Sequence, residues 1–213
     1  MKTLVLDTAW KNLVIALFED DHLLASYSRE AFKRQSETLF VALKDVLNQA
    51  GCALKDIDQV IVTNGPGSYT GLRMALTTAK ILGTQASIRV GTITTFQLYA
   101  GNAPKANVLL DARGNRAYVA HVENGKVQEM GIFALDEIPA FLEANPGKIY
   151  GEANLIGKES LPSDFLANAK DLLSKATWIE PQALHALAPL YMKSNESYLV
   201  SKPEGLKEGK SNA

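Results

Sequence analysis

Hydrophobic residues open the chain in short blocks. Leu4-Val5-Leu6 is stopped by Asp7, and two more apolar blocks, Asn12–Phe18 and His22–Ser28, flank the polar turn Glu19-Asp20-Asp21. Short apolar and β-branched blocks bounded by turn residues predict strands, so Thr3–Leu6, Asn12–Phe18 and His22–Ser28 read as an antiparallel meander. The period then becomes helical. Leu39, Phe40, Leu43, Val46, Leu47 and Ala50 recur at helical spacing, with Ser36 as the N-cap, Glu37 in the first turn and Gly51 at the end. Val60-Ile61-Val62 predicts a buried strand. After it come a glycine-rich loop, a helix over Leu72–Gly83, a strand over Ile88–Thr92, a short helix over Thr94–Ala100 and a hinge at Gly101-Asn102-Ala103-Pro104.

The loop is Gly65-Pro66-Gly67-Ser68-Tyr69-Thr70-Gly71. Strand, glycine-rich loop and helix start is a layout that presents backbone N–H groups to an anion or to another backbone. It is not a P-loop, for no Gly-Lys-Ser/Thr closes it, nor a dinucleotide fingerprint, for Gly65, Gly67 and Gly71 do not fit G-x-G-x-x-G. On the following helix, at ~100° per residue, Leu72, Ala75, Leu76, Ala79 and Gly83 form one stripe. Met74, Thr78 and Ile81 form a second on the opposite side, leaving Arg73, Thr77 and Lys80 as a polar arc. Two packings fit a helix with two apolar sides. It lies sandwiched within its own domain, or it packs on its own domain with one side and on a partner chain with the other.

Beyond the hinge the pattern starts again. Val108–Arg113 echoes Leu4–Ala9, Ala117–Val122 echoes Leu13–Phe18, and Glu123–Val127 echoes Glu19–Leu23, all at one offset of 104 residues. Matched hairpins alone give such an echo; the shared Asp at the first turn and Glu at the second favour a duplicated subdomain. Lys126–Phe133 reads as a strand, Leu135–Glu143 as a helix, Asn145-Pro146-Gly147 as a turn and Lys148–Tyr150 as a strand. Gly151–Ser174 carries weak helical signals, and Pro181 starts a helix with Leu184, Leu187 and Ala188. The expected organisation is therefore a first lobe over 1–101, a reduced second lobe over 102–193 and a disordered polar tail over 201–213.

Composition narrows the function classes. The 213 residues are 46% hydrophobic and 21% charged with net charge −1, so no basic excess argues for tight nucleic-acid binding by the chain alone. One cysteine, Cys52, cannot form an internal disulfide, which points to a reducing, cytoplasmic setting. The start Met1–Asp7 is not a signal peptide, and no apolar run approaches the ~20 residues of a membrane helix. Asp7 and Asp111 each end a first strand. Either each caps its own turn, or the two face a cleft and act on a metal and phosphates through their turns. Trp10 in the first turn is bulky for a phosphate site; Arg113 and Arg116 lie in the second, and Gly151-Glu152-Ala153-Asn154 is the only adenosine-type stretch. His22, His121 and His185 form no metal-ligand pair, Cys52 lacks a base, and Ser68 lacks the nucleophile elbow.

Asn64-Gly65-Pro66-Gly67-Ser68-Tyr69-Thr70-Gly71-Leu72-Arg73 resembles the signature loop of the TsaB (YeaZ) family, and Leu6-Asp7-Thr8, Asp111-Ala112-Arg113, Tyr118 and Pro189-Leu190-Tyr191 are similar to the same family. The resemblance implies an α/β fold of the actin/Hsp70/sugar-kinase (ASKHA) class. It has two lobes with duplicated mixed-sheet subdomains, the second reduced. It implies a non-catalytic part in threonylcarbamoylation (t6A) of adenosine-37 in tRNAs that read ANN codons. The partners implied are a TsaD transferase paralogue in a heterodimer, a TsaE ATPase on that pair, tRNA through the complex, and a homodimer in isolation. The pairing helices would be Glu37–Ala50 and Leu72–Gly83, with Leu39, Leu43, Leu47, Leu72, Arg73, Ala75, Leu76, Ala79 and Gly83 on the interface. Two departures stand out: Gln35 replaces a common His before Ser36-Glu37, and Ala9-Trp10 replace Ser and Thr in the first turn. No cofactor is assigned; ATP with magnesium would have only the chain's own cleft or a joint interface. The competing readings are a small ATP-dependent phosphotransferase of the same fold, which would use Asp7 and Asp111, and a metal-dependent peptidase.

Overall fold

The continuous apolar runs of the first two strands are those of a sheet covered on both faces. The computed structural model describes residues 1–31 and 34–192. The strands are β1 (Lys2–Asp7), β2 (Asn12–Glu19), β3 (His22–Glu30), β4 (Gln59–Thr63), β5 (Arg89–Ile93), β6 (Ala106–Asp111), β7 (Arg116–Glu123), β8 (Lys126–Ala134), β9 (Lys148–Gly151) and β10 (Thr177–Ile179). The helices are α1 (Gln35–Gln49), α2 (Tyr69–Gln85), α3 (Thr95–Ala100), α4 (Ile138–Ala144) and α5 (Phe165–Leu172). Among the described residues the strands form a six-stranded sheet, β10-β5-β4-β1-β2-β3, and a four-stranded sheet, β8-β7-β6-β9. β1, β4 and β5 run parallel, so Asp7, Thr63 and Ile93 share one end of the first sheet.

One face of the first sheet, with Leu4, Leu6, Leu13, Ile15 and Leu17, buries Leu39, Leu43 and Val46 of α1 and Ala75, Leu76 and Ala79 of α2. The other face, with Val5, Ala16, Phe18 and Ile61, takes Leu98 of α3 and Ala169 and Leu172 of α5. α3 also gives Phe96, Tyr99 and Ala100 to the second core, against Val108, Leu110, Tyr118 and Ala120, so it is shared by both sheets. α4 covers the far face of the second sheet with Ile138 and Phe141.

The repeat is present in the backbone, with one slip. The β2–β3 and β7–β8 hairpins match at the 104-residue offset down to the register shift, between Leu17 and Phe18 in one and His121 and Val122 in the other. The preceding pair differs: Asp7 lies opposite Val14, but Asp111 lies opposite Ala117, one residue nearer. A one-residue change reverses which side chains share a face, so the gapless alignment carries the buried run Leu13–Phe18 of β2 onto Ala117–Val122 of β7 but does not carry the faces of β1 onto β6.

Three expectations need correction. Ser36 does not cap α1; the helix begins at Gln35, whose buried amide donates to the Trp10 carbonyl at 2.7 Å. The second half does not stay with the second sheet: α5 packs on the first, and β10 pairs antiparallel with β5 through Trp178 and Gly91. The Pro181 helix is a 3-10 turn, Pro181–Ala186, with Leu184 buried in the first core. The predicted tail at 201–213 lies outside the described residues.

Candidate functional site

The signature loop folds over the Asp7 turn. A Cβ on Gly67 would run into the Ala9 carbonyl, and one on Gly71 into the Thr8 carbonyl, so side chains are excluded where two backbones meet. Ser68 N–H donates to the Ala9 carbonyl at 2.7 Å, the Thr8 hydroxyl donates to the Gly71 carbonyl at 2.6 Å, and the Ser68 hydroxyl accepts from Gly71 N–H at 3.3 Å. The Gly65 carbonyl accepts from Thr95 N–H at 2.8 Å, and Leu190 N–H donates to the Asn64 carbonyl at 2.7 Å. Pro66 is buried within the loop. Of the two partners open to this loop, an anion or another backbone, the named bonds go to backbone.

Asp7 is 1% exposed, and its Oδ1 accepts from the Thr63 hydroxyl and from Ala9 N–H. Burial pushes its carboxyl up to about 6, against the lowering effect of those two bonds. Asp111 Oδ1 accepts from Arg113 N–H at 2.7 Å, the same turn-capping geometry. Its own N–H donates to Glu152 Oε2 at 2.7 Å, while Glu152 Oε1 pairs with Lys11 Nζ at 2.5 Å. Glu152 therefore ties the β1–β2 turn to the end of β6. Asp7 and Glu152 both bear on Tyr99, whose hydroxyl is pushed up chiefly by burial. Trp10 lies edge-on to Tyr118, centroids 6.4 Å apart, and packs into the second core.

These residues do not fit a magnesium nucleotide. Indole carbon fills the first turn, the Asp7 carboxyl is committed inside the protein, and Glu152 adds negative charge where phosphate would need N–H donors. Among the described residues no group of three or more His, Cys, Asp and Glu is gathered as a metal site, and no helix is long and apolar enough to cross a membrane. His121 is buried between Asn107 Oδ1 at 2.9 Å and Glu123 Oε1 at 3.2 Å, while His22 and His185 are exposed.

The interface residues read from the sequence are mostly core. Leu39, Leu43, Leu72, Ala75, Leu76 and Ala79 are buried inside the chain, and Leu47 packs half-buried against the same core. Gly83 is small because Leu184 Cδ2 and Val90 Cγ2 would lie 2.5 Å and 2.8 Å from a Cβ there. Of that set Arg73 is exposed. The small-residue stripe permits close approach to the chain's own sheet.

The exposed apolar side chains lie elsewhere on the same helices: Phe40 at 61%, Val41 at 62% and Ile81 at 53%, with Tyr69 part-exposed at the start of α2. Thr70, Arg73, Thr77 and Ile81 form the outward row of α2. Arg73 Cζ stands 5.1 Å from the Tyr69 ring and its guanidinium donates to the Tyr69 hydroxyl; Tyr69 stacks on Tyr191 at 5.7 Å and 20°. Phe40 and Val41 sit off the buried Leu39-Leu43-Val46 line, a sequence signal that the count of apolar residues passed over. Glu152 and Tyr191 lie in stretches that the sequence singled out, but their contacts with Lys11, Asp111 and Tyr69 had no local signal, because those partners are far away in the chain.

Comparison with known proteins places this geometry. The family model described as TsaD: tRNA N6-adenosine threonylcarbamoyltransferase matches residues 27–159, more than half of the chain. The chain is 30% identical over 136 residues to the tRNA threonylcarbamoyladenosine biosynthesis protein TsaB of Bacillus subtilis, covering 61% of this chain and 59% of that protein. To its Escherichia coli namesake it is 27% identical over 149 residues, covering 67% and 63%. The matches thus span about six-tenths of these relatives' length. The structure of YeaZ from Pseudomonas aeruginosa superposes with a TM-score of 0.72 at 19% identity, over 89% of this chain and 99% of that one, and so shares the fold. The chain thus has the two-sheet α/β fold of that YeaZ structure, is similar to proteins named TsaB, and belongs to the family described as TsaD: tRNA N6-adenosine threonylcarbamoyltransferase.

Proposed function

We propose that the chain is an accessory subunit in tRNA threonylcarbamoyladenosine formation, without a catalytic site of its own, that pairs with a TsaD-type transferase through α1 and α2. The observation that carries this reading is the exposed apolar surface of those two helices, with Phe40, Val41 and Ile81 facing outward. Large apolar side chains exposed on two helices that pack on the same sheet face are the raw material of a contact site. The filled turn at Trp10 and the committed Asp7 carboxyl support the non-catalytic part of the reading. The names of the relatives support the pathway. On this reading tRNA and a TsaE-type ATPase meet the complex rather than this chain alone, and two copies pair through the same face when the partner is absent.

The test is reconstitution of tRNA threonylcarbamoylation with the cognate transferase and its companions, leaving out only this chain. Modification is expected to need it, and to be lost with the double variant Phe40→Asp, Ile81→Asp, which changes exposed positions and keeps the fold. Full modification without the chain rules the reading out. Full modification with the double variant moves the interface elsewhere.

A further inference from the structure

From Leu184 to Tyr191 the chain runs back along α2, from the helix's C-terminal end to its N-terminal end. Leu184 covers Gly83, the His185 carbonyl accepts from Lys80 Nζ at 3.0 Å, and Leu187 joins the first core. Leu190 then bonds Asn64, and its carbonyl lies against Gly65. Tyr191 stacks on Tyr69, which carries Arg73 on its ring, and Met192 packs into the second core. One stretch thus touches both ends of α2 and is anchored in the other sheet.

Resting on the accessory-subunit reading, we propose that this stretch is a positioning strap: through Tyr191 it fixes the start of α2 and holds the Arg73 guanidinium ready for a carboxylate at the rim of the partner's surface. An arginine on a solvent-facing helix ordinarily loses much side-chain freedom on binding. Stacked and hydrogen-bonded on Tyr69, Arg73 has already given up that freedom, and its fork geometry suits a carboxylate. Its neighbours on the outward row, Thr70, Thr77 and Ile81, are uncharged, so Arg73 supplies the charge that orients a partner on that row of α2.

Hydrogen exchange on the isolated chain, paired with calorimetry against the transferase, tests this with Tyr191→Ala and Tyr191→Phe. Tyr191→Ala is expected to speed exchange in the first turns of α2 by about tenfold, to leave β1 and β4 unchanged and to weaken partner binding by about tenfold. Tyr191→Phe keeps the ring and behaves as wild type. Wild-type exchange and affinity in Tyr191→Ala overturn the strap. If that variant unfolds, Arg73→Gln decides, since it leaves the core untouched: an affinity loss of about tenfold upholds the anchor and unchanged affinity removes it. If the wild-type chain does not bind the transferase at all, the accessory reading fails and the exchange result alone judges the strap.

Discussion

Asp7 holds an ionisable carboxyl that accepts from one hydroxyl and one amide among the described residues, and this has a measurable sign. Its proton is held more tightly in the folded chain, at about 6, than in the unfolded one, at about 3.9. The stabilisation from protonated Asp7 is full below about pH 4 and is lost as the pH rises through about 6, on the order of 3 kcal/mol in all. Asp7→Asn keeps an oxygen for Thr63 and Ala9 but carries no charge. It is expected to be more stable than wild type by about 1–2 kcal/mol at pH 7.5, the gap closing by pH 4, in urea unfolding followed at both. A gap that widens on acidification would mean that Asp7 is ionised against an unseen cation.

At the scale of elements, α2 separates what pattern can tell from what it cannot. Ala79 and Ile81 are both apolar, but Ala79 is wholly buried and Ile81 is 53% exposed. Ala79→Arg, which the partner reading of the stripe would treat as a surface change, is expected to cost about 4 kcal/mol or more of stability. Ile81→Arg is expected to fall within about 0.5 kcal/mol of wild type; thermal melts of the two variants separate the faces. The sequence made the helix, its period and the glycine loop legible, because each is a local constraint. It could not say which stripe faces home. That is decided by β4 and β1 on one side and Leu184 on another, contacts made across the chain. Asp7 and Asp111 were legible as turn ends, whereas the bond of Glu152 to the second of those turns was not.

Taken whole, the molecule is two sheets joined by α3 and closed across the turns by Trp10 and Glu152. Glu152→Ala releases Lys11 and leaves the Asp111 amide without its carboxylate. Stability is expected to fall by about 1–2 kcal/mol while both sheets stay folded. In a Trp178→Phe background, Trp10 emission is expected to shift to the red as the turns part; emission unchanged from the parent would place the closure in α3 and Trp10 alone. The pairing of β10 with β5 also bears on how the chain is made. The first sheet is built early in synthesis, yet residues 177–179 supply its last strand and 184–191 the cover over α2. Until most of the chain has left the ribosome, the nascent protein carries an open strand edge and a bare helix flank, the two features that invite misassembly.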